Sequence, residues 1–353
     1  MQTAIHKTTL LAALAVVALA GHAYAATVFQ TDTNKDGIVN FKDHDQNGGI
    51  EKVVDLSNNW LGTYTVINNV YDLKGITDMT ETYVLGNDID CNGVEMESIG
   101  SEDNPFTGTF IGNGHKISNV KINAPSKDFA GLFGALDDGA EVYDLDLENV
   151  DIFSSKGAGV VAGTVYNGKI ARVSSSGKVQ VYNGEAGGIA GRMYKGTISD
   201  CVSDCNTFAK DYAGGILGRG IGAEPNNLII ENCYATGIAS AARTSAGGVV
   251  GSAANMTIKD TYATGTASAL FAFGGLVGFS FNLSVSNSYH TGPNNGIGTF
   301  ESGGADAFKG LEHSHPVYGT VETPIWDFEN VWEAHADSLP TLRRNPQPTP
   351  PQP

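Results

Sequence analysis

Between residues 130 and 292 the apolar positions come in short bursts and not in helical stripes. In "AEVYDLDLENV", residues 140 to 150, Val142, Leu145 and Leu147 sit among Tyr143, Asp144, Asp146 and Glu148, so that Asp-Leu-Asp-Leu-Glu alternates with period 2. This alternation predicts a strand with one buried face and one wet face. Gly pairs and Asn, Asp or Thr-Gly turns separate the bursts. Strands this short cannot bury an apolar face alone, so they must stack.

The bursts recur. "GGIAGRMYKGTISDCVSDC" begins at Gly187, "GGILGRGIGAEPNNLIIENCYATG" at Gly214, "GGVVGSAANMTIKDTYATG" at Gly247 and "GGLVGFSFNLSVSNSYHTG" at Gly274. Weaker copies begin at Ala130 and Gly159, which makes the successive steps 29, 28, 27, 33 and 27 residues. The step of 33 contains "GIGAEPNN", an insertion between Gly218 and Ile230 of the kind a solenoid accepts at a corner. The period predicts an all-β, right-handed parallel β-helix in which inward Val, Ile and Leu form columns about 4.8 Å apart per coil. About 280 residues at roughly 27 per coil make about ten coils and a rod near 50 Å long on that spacing. Gly pairs then mark corners that need positive φ or a backbone approach that a Cβ would block. The register also predicts a ladder of Tyr234, Tyr262 and Tyr289, each four residues after Ile230, Ile258 and Val285.

These copies resemble the GLUG motif of bacterial surface and secreted proteins, which also occurs in the non-catalytic part of certain immunoglobulin A peptidases. Upstream, "YVLGNDIDCNGVEMESIG" and "PFTGTFIGNGHKISNVKI" are similar to the segment that leads into such repeats, so the resemblance spans residues 76 to 292. It implies a parallel β-helix. It implies little about activity, because the motif is architectural.

The first 25 residues read as a secretory signal: Lys7, an apolar run from Leu10 to Ala20, and Ala23-Tyr24-Ala25 for cleavage. The apolar run is short of the roughly 20 residues a membrane-spanning helix needs. An exported mature chain is expected, with no membrane span. The formal charge of the whole chain is −17, which disfavours nucleic-acid phosphates as partners.

Beyond the signal, "DTNKDGIVNFKD" has the ligand spacing of an EF-hand-type loop. Asp32, Asn34 and Asp36 supply oxygens at positions 1, 3 and 5, Gly37 turns the chain, Ile38 offers its carbonyl, and Asn40 and Asp43 stand at 9 and 12. Calcium is the cation this oxygen set suits. Asp at position 12 and the lack of a preceding helix former make the loop similar to a dockerin repeat, and "VVDLSNNWL" at 53 to 61 resembles the end of one. The overlapping "DHDQNGGIE", with Asp43, Asp45, Asn47 and Gly48, resembles the linked calcium loops of thrombospondin type 3 repeats but has Val54 at its twelfth position. With one clear dockerin-like copy, a structural cap is favoured over docking to a cohesin.

The chain has no HExxH and no GxSxG. "GTVYNGKI" at 163 to 170 approaches a P-loop but has Ile170 where Ser or Thr must meet Mg²⁺, and it reads as a repeat corner. His313 and His315 with Glu312 lack a visible third ligand, and His115 belongs to the lead-in. A polysaccharide lyase or glycosidase would draw on Asp144, Asp146, Glu148 and Asp151, but these are better explained as the solvated side of a strand. Of Cys91, Cys201, Cys205 and Cys233, Cys201 and Cys233 share a column; a buried thiol column is favoured over a disulfide, since in-register neighbours present awkward geometry for one.

The expected organisation is a signal peptide (1–25), a dockerin-like calcium-binding segment (26–61), a GLUG-repeat β-helix with a C-terminal coil or cap holding Trp326 and Trp332 (62–342), and a Pro-rich tail (343–353). The expected function is an extracellular or cell-surface binding or adhesion scaffold for a glycan, a matrix protein or another polymer ligand. The alternatives are a carbohydrate-active enzyme and a subunit that self-associates through its coil ends.

Overall fold

A computed structural model describes residues 51–54, 60–224, 227–291, 296–300, 319–320, 323–324, 326–333, 335 and 339–343. The signal segment and the calcium loop (Asp32, Asn34, Asp36, Ile38, Asn40 and Asp43) lie outside the described residues, as do Glu312, His313 and His315.

The chain winds into a parallel β-solenoid of about seven turns. The inward column on one face runs Tyr83, Phe110, Val142, Ile170, Ile198, Ile230, Ile258 and Val285, each paired in parallel with the next. All eight are buried. A second face stacks Phe133, Ala162, Ala190, Leu217, Val250, Val277 and Ile297. The third is a six-stranded sheet whose buried positions are Ala130, Ala158, Ala186, Ala213 and Ala246, with Phe273 exposed at the equivalent position of the last strand. One continuous apolar core fills the interior.

The count of ten coils was too high, and the rod is nearer 34 Å at about 4.8 Å per turn. Two stretches counted as coils build something else. Residues 64 to 109 add rungs to the first face through Tyr64, Thr82 and Thr109, while the helix Val70–Lys74 contributes Val70 and Leu73 to the core. Asn69 caps that helix by accepting from the backbone N–H of Tyr71 at 2.9 Å and of Asp72 at 3.1 Å. The stretch likened to a dockerin end takes part in an antiparallel hairpin, Glu51–Val54 with Trp60–Ile67.

The second stretch is the C-terminal one. Trp332–Glu333 pairs with Thr341–Leu342, and Trp326 and Trp332 pack on the lateral Tyr ladder instead of adding a terminal rung. Trp326 Nε1 donates to the Asn287 carbonyl at 3.1 Å, and Tyr262 Oη donates to the Pro340 carbonyl at 2.7 Å.

The repeat steps of 28, 27, 33 and 27 appear as the pairs Gly159 with Gly187, Gly187 with Gly214, Gly214 with Gly247 and Gly247 with Gly274. The first step is 28 at Ala130 with Ala158 but 29 at Phe133 with Ala162, so one extra residue sits in that corner. These corner glycines serve close backbone approach: a Cβ on Gly187 would lie 1.9 Å from the Ala190 carbonyl oxygen, and one on Gly214 would lie 2.0 Å from that of Leu217.

Candidate functional site

The left-handed corner is taken by polar residues. Asp144, Arg172, Asp200, Asn232, Asp260 and Asn287 all have φ between +45° and +56°. Asp and Asn accept this conformation more readily than other residues bearing a Cβ, because their short polar chains bond locally. Here they also bond from coil to coil. Asn232 Nδ2 donates to Asp200 Oδ1 and Asn287 Nδ2 to Asp260 Oδ1, each at 3.0 Å, while Arg172 clasps Asp144 through Nε and Nη2. Burial pushes the carboxyls of Asp200 and Asp260 above the ordinary range, against the pull of these amides.

Next to this ladder the inward column reads Leu145, Val173, Cys201, Cys233, Thr261 and Ser288, all buried. Cys201 and Cys233 are free thiols in neighbouring coils, and burial raises the Cys233 pKa well above that of a free thiol. The Thr261 hydroxyl accepts from the Cys233 N–H at 3.2 Å, and Ser288 Oγ accepts from the Thr261 N–H at 3.3 Å. Cys91 and Cys205 are also free and buried.

The acidic strip does not converge on a reaction centre. Asp144 is held by Arg172, Asp146 accepts from the Ser174 hydroxyl, Glu148 pairs with Lys116 at 3.1 Å, and Asp151 is exposed. Each of the first three is tied to the coil next to it. The P-loop-like stretch is a corner between the strands Ala162–Val165 and Gly168–Val181, and its Lys169 pairs with Glu141 at 2.8 Å. His115 Nδ1 lies 3.1 Å from Asp88 Oδ1. Among the described residues no group of three or more His, Cys, Asp or Glu is placed to hold a metal ion.

A different cluster stands out where the six-stranded sheet meets the second face. Glu185 is 2% exposed, in a column that elsewhere holds Gly157, Tyr212, Ser245 and Ala272. Arg192 Nη2 reaches both of its carboxylate oxygens, at 2.7 and 2.8 Å, and Arg219 Nη1 lies 3.6 Å from Oε1. Arg192 and Arg219 are register partners in adjacent coils. The Arg192 guanidinium lies 5.1 Å from the Phe129 ring centroid, and that of Arg219 4.8 Å from the Tyr212 centroid. Arg192 Nη1 also donates to Tyr194 Oη at 3.3 Å, and Tyr194 stacks on Tyr166 with centroids 5.4 Å apart. Two guanidiniums thus share one buried carboxylate. The sequence reading missed this cluster, although the fifth residue after the opening Gly is Arg in both "GGIAGR" and "GGILGR".

Residues 12–177, a little under half of the chain, match the sequence profile described as the M26 IgA1-specific metallo-endopeptidase N-terminal region. The rod is similar to that M26 N-terminal region. A crystal structure of a candidate immunoglobulin A1 protease from Bacteroides ovatus superposes with a TM-score of 0.61 at 25% identity, covering 80% of this chain and 93% of that one. The two chains thus share the β-solenoid fold over most of their lengths. Halomucin of Haloquadratum walsbyi is 34% identical over 128 residues, 36% of this chain, and the chain spans about 1% of halomucin's length. A solved IgA1 protease aligns at 15% identity with a TM-score of 0.43, over 70% of this chain and 24% of its own.

Proposed function

We propose that this chain is an exported extracellular or cell-surface binding and adhesion scaffold: an M26-type β-solenoid built of GLUG-like repeats and stabilised by calcium at a dockerin-like loop before the first coil. The observation that carries the reading is the display itself. Strictly registered coils place equivalent outward side chains at strand spacing, as Arg192 and Arg219 illustrate, so weak contacts can combine along the rod. Three of the four carboxylates that an enzyme would use, Asp144, Asp146 and Glu148, are engaged in coil-to-coil pairs, which favours binding over turnover. Glycan and host-matrix binding arrays, run beside a polysaccharide depolymerisation screen, test the reading. Binding without depolymerisation is expected, and saturable cleavage lost in Asp144→Ala or Asp146→Ala would overturn it.

A second reading, self-association near the coil end, draws on the apolar side chains of Leu270, Phe271, Phe273 and Phe281, which are between 44% and 71% exposed on the last coils. Sedimentation of the purified chain over a concentration series separates it from the first. A monomer at every concentration would exclude it.

A further inference from the structure

We propose that the face formed by Arg219, Arg192 and Glu185 is a binding site for the carboxylate of an acidic sugar residue in a glycan, with Arg219 as the ligand contact. The proposal rests on the binding-scaffold reading and names the ligand class that one part of the rod would take.

The division of labour follows from the geometry. Both oxygens of Glu185 accept from Arg192 Nη2, with the Glu185 side chain 3% and the Arg192 side chain 21% exposed. That pair is a fixed base. Arg219 approaches the same carboxylate only to 3.6 Å, has no hydrogen-bond acceptor among the described residues, and leaves 36% of its side chain exposed. Stacking on Tyr212 at 4.8 Å limits the freedom of its guanidinium, so less entropy is lost when it takes an anion. Two positive charges against one negative leave the cluster at net +1. A planar fork with this surplus suits a carboxylate, which it can hold through two parallel N–H···O bonds.

The chain's formal charge of −17 does not cancel this preference. At physiological ionic strength the Debye length is about 8 Å, so distant acids are screened while a direct fork contact is not. The neighbouring Tyr194 hydroxyl and the Tyr212 and Phe129 rings add the mixed polar and aromatic surroundings that a hydroxylated ring can use.

A sugar fits this face better than an acidic peptide does. Glu185–Gly187 is hydrogen-bonded between Gly157–Gly159 and Tyr212–Gly214, and Ala190–Met193 between Ala162–Val165 and Leu217–Ile221. No strand edge is open there for a peptide backbone to extend. Recognition must come from side chains alone.

The test is calorimetric titration of the full chain with a short oligogalacturonate and with its carboxyl-reduced, neutral counterpart. Saturable binding of the acidic form alone is expected. Arg219→Gln should weaken it at least about tenfold, and Arg219→Lys, which keeps the charge but loses the fork, should recover only part. Thermal unfolding of both variants should match the parent, because Arg192 still satisfies Glu185. Equal binding of the acidic and neutral forms, or an Arg219→Gln protein that binds as well as the parent, would overturn the site. If the parent captures other glycans or matrix proteins on arrays but no uronate oligomer, the site falls and the scaffold reading stands. A chain that captures nothing removes both.

Discussion

Tyr234 and Tyr262 stack face to face from adjacent coils, with ring centroids 4.9 Å apart and planes 1° from parallel. The separation is the strand spacing itself, so the rings report the register of the coils beneath them. Tyr289 continues the ladder as the register partner of Tyr262. The ladder is not an open binding face. Trp326 and Trp332, with centroids 4.4 Å apart, lie against it and bury the middle ring.

Trp332→Ala should therefore release the C-terminal segment while leaving the coils wound. Removing a fully buried Trp costs about 3–5 kcal/mol, more than the roughly 1 kcal/mol that each of the remaining bonds to the rod, from Trp326 to the Asn287 carbonyl and from Tyr262 to the Pro340 carbonyl, contributes. Hydrogen exchange is expected to rise in residues 326–343 and to stay low in the Ile198, Ile230 and Ile258 strands. Tyr262→Phe, which removes only the bond to the Pro340 carbonyl, should cost about 1 kcal/mol.

The corners supply a sharper contrast. A Cβ on Gly187 would stand 1.9 Å from a backbone oxygen, whereas a Cβ on Gly114, at φ +73°, would meet nothing within 4 Å. Gly114→Ala should cost only the left-handed penalty, about 1–2 kcal/mol. Gly187→Ala must move backbone in the core and should cost more than about 4 kcal/mol. Urea denaturation of the two variants measures the difference.

Much of this fold was legible in advance, and the reasons are specific. Ile258 and Val285 sit at equal offsets from their Gly pairs, Ile230 is displaced only by the "GIGAEPNN" insertion, and each is followed four residues on by its Tyr, so their column and the Tyr ladder follow from register alone. The thiol neighbours Cys201 and Cys233 follow for the same reason. The lateral docking of Trp326 was not legible, because 34 residues separate it from Gly292 and no periodicity bridges them. Nor was the Glu185 site. The two arginines could be aligned by eye, but only the corner between Gly187 and Ala190 turns the Glu185 column toward the Arg192 column. The polar corner ladder fell between the two: its Asp and Asn members have the composition of left-handed positions, while Arg172 does not.

Asp260 offers a test of that ladder through pH. Burial is the largest influence on its carboxyl and raises its pKa above that of an ordinary aspartate, so the folded chain holds this proton more tightly than the unfolded one. Its contribution to stability is full below the unfolded pKa and is lost as pH rises through the folded pKa. Asp260→Asn keeps the left-handed conformation and an acceptor for Asn287 without the charge. The variant should melt higher than the parent at pH 7, with the gap closing as pH falls below 4. A gap independent of pH would show that Asp260 is not the titrating group.

The loop at residues 32 to 43 is tested by calcium itself. Asp36→Ala removes an oxygen from position 5 of the ligand set and should weaken calcium binding in calorimetry. Calcium should also protect the N-terminal segment of the parent chain from proteolysis, and chelator should abolish that protection. Unchanged cleavage with and without chelator, together with no binding heat, would remove calcium from the account.

Deleting residues 247 to 273 asks whether the rod is modular in both folding and binding. Gly247 pairs with Gly274 one coil on and with Gly214 one coil back, so the deletion lets Gly214 meet Gly274, Leu217 meet Val277 and Tyr234 meet Tyr289. Each new pair joins residues of the kind already paired in this solenoid. Since every coil touches mainly its neighbours, the shortened chain should fold and melt cooperatively, losing one turn of core and the bond from Tyr262 to Pro340. The Glu185, Arg192 and Arg219 side chains lie in earlier coils and remain. A monovalent acidic sugar should therefore bind the shortened rod as it binds the parent, while a polymer that contacts several coils should bind more weakly, because one set of simultaneous contacts is gone. Titration with the monovalent probe and interferometry on the immobilised polymer measure the two affinities separately. If both fall together the rod acts through a single site that needs its full length, and if neither falls the coil of residues 247 to 273 takes no part in binding.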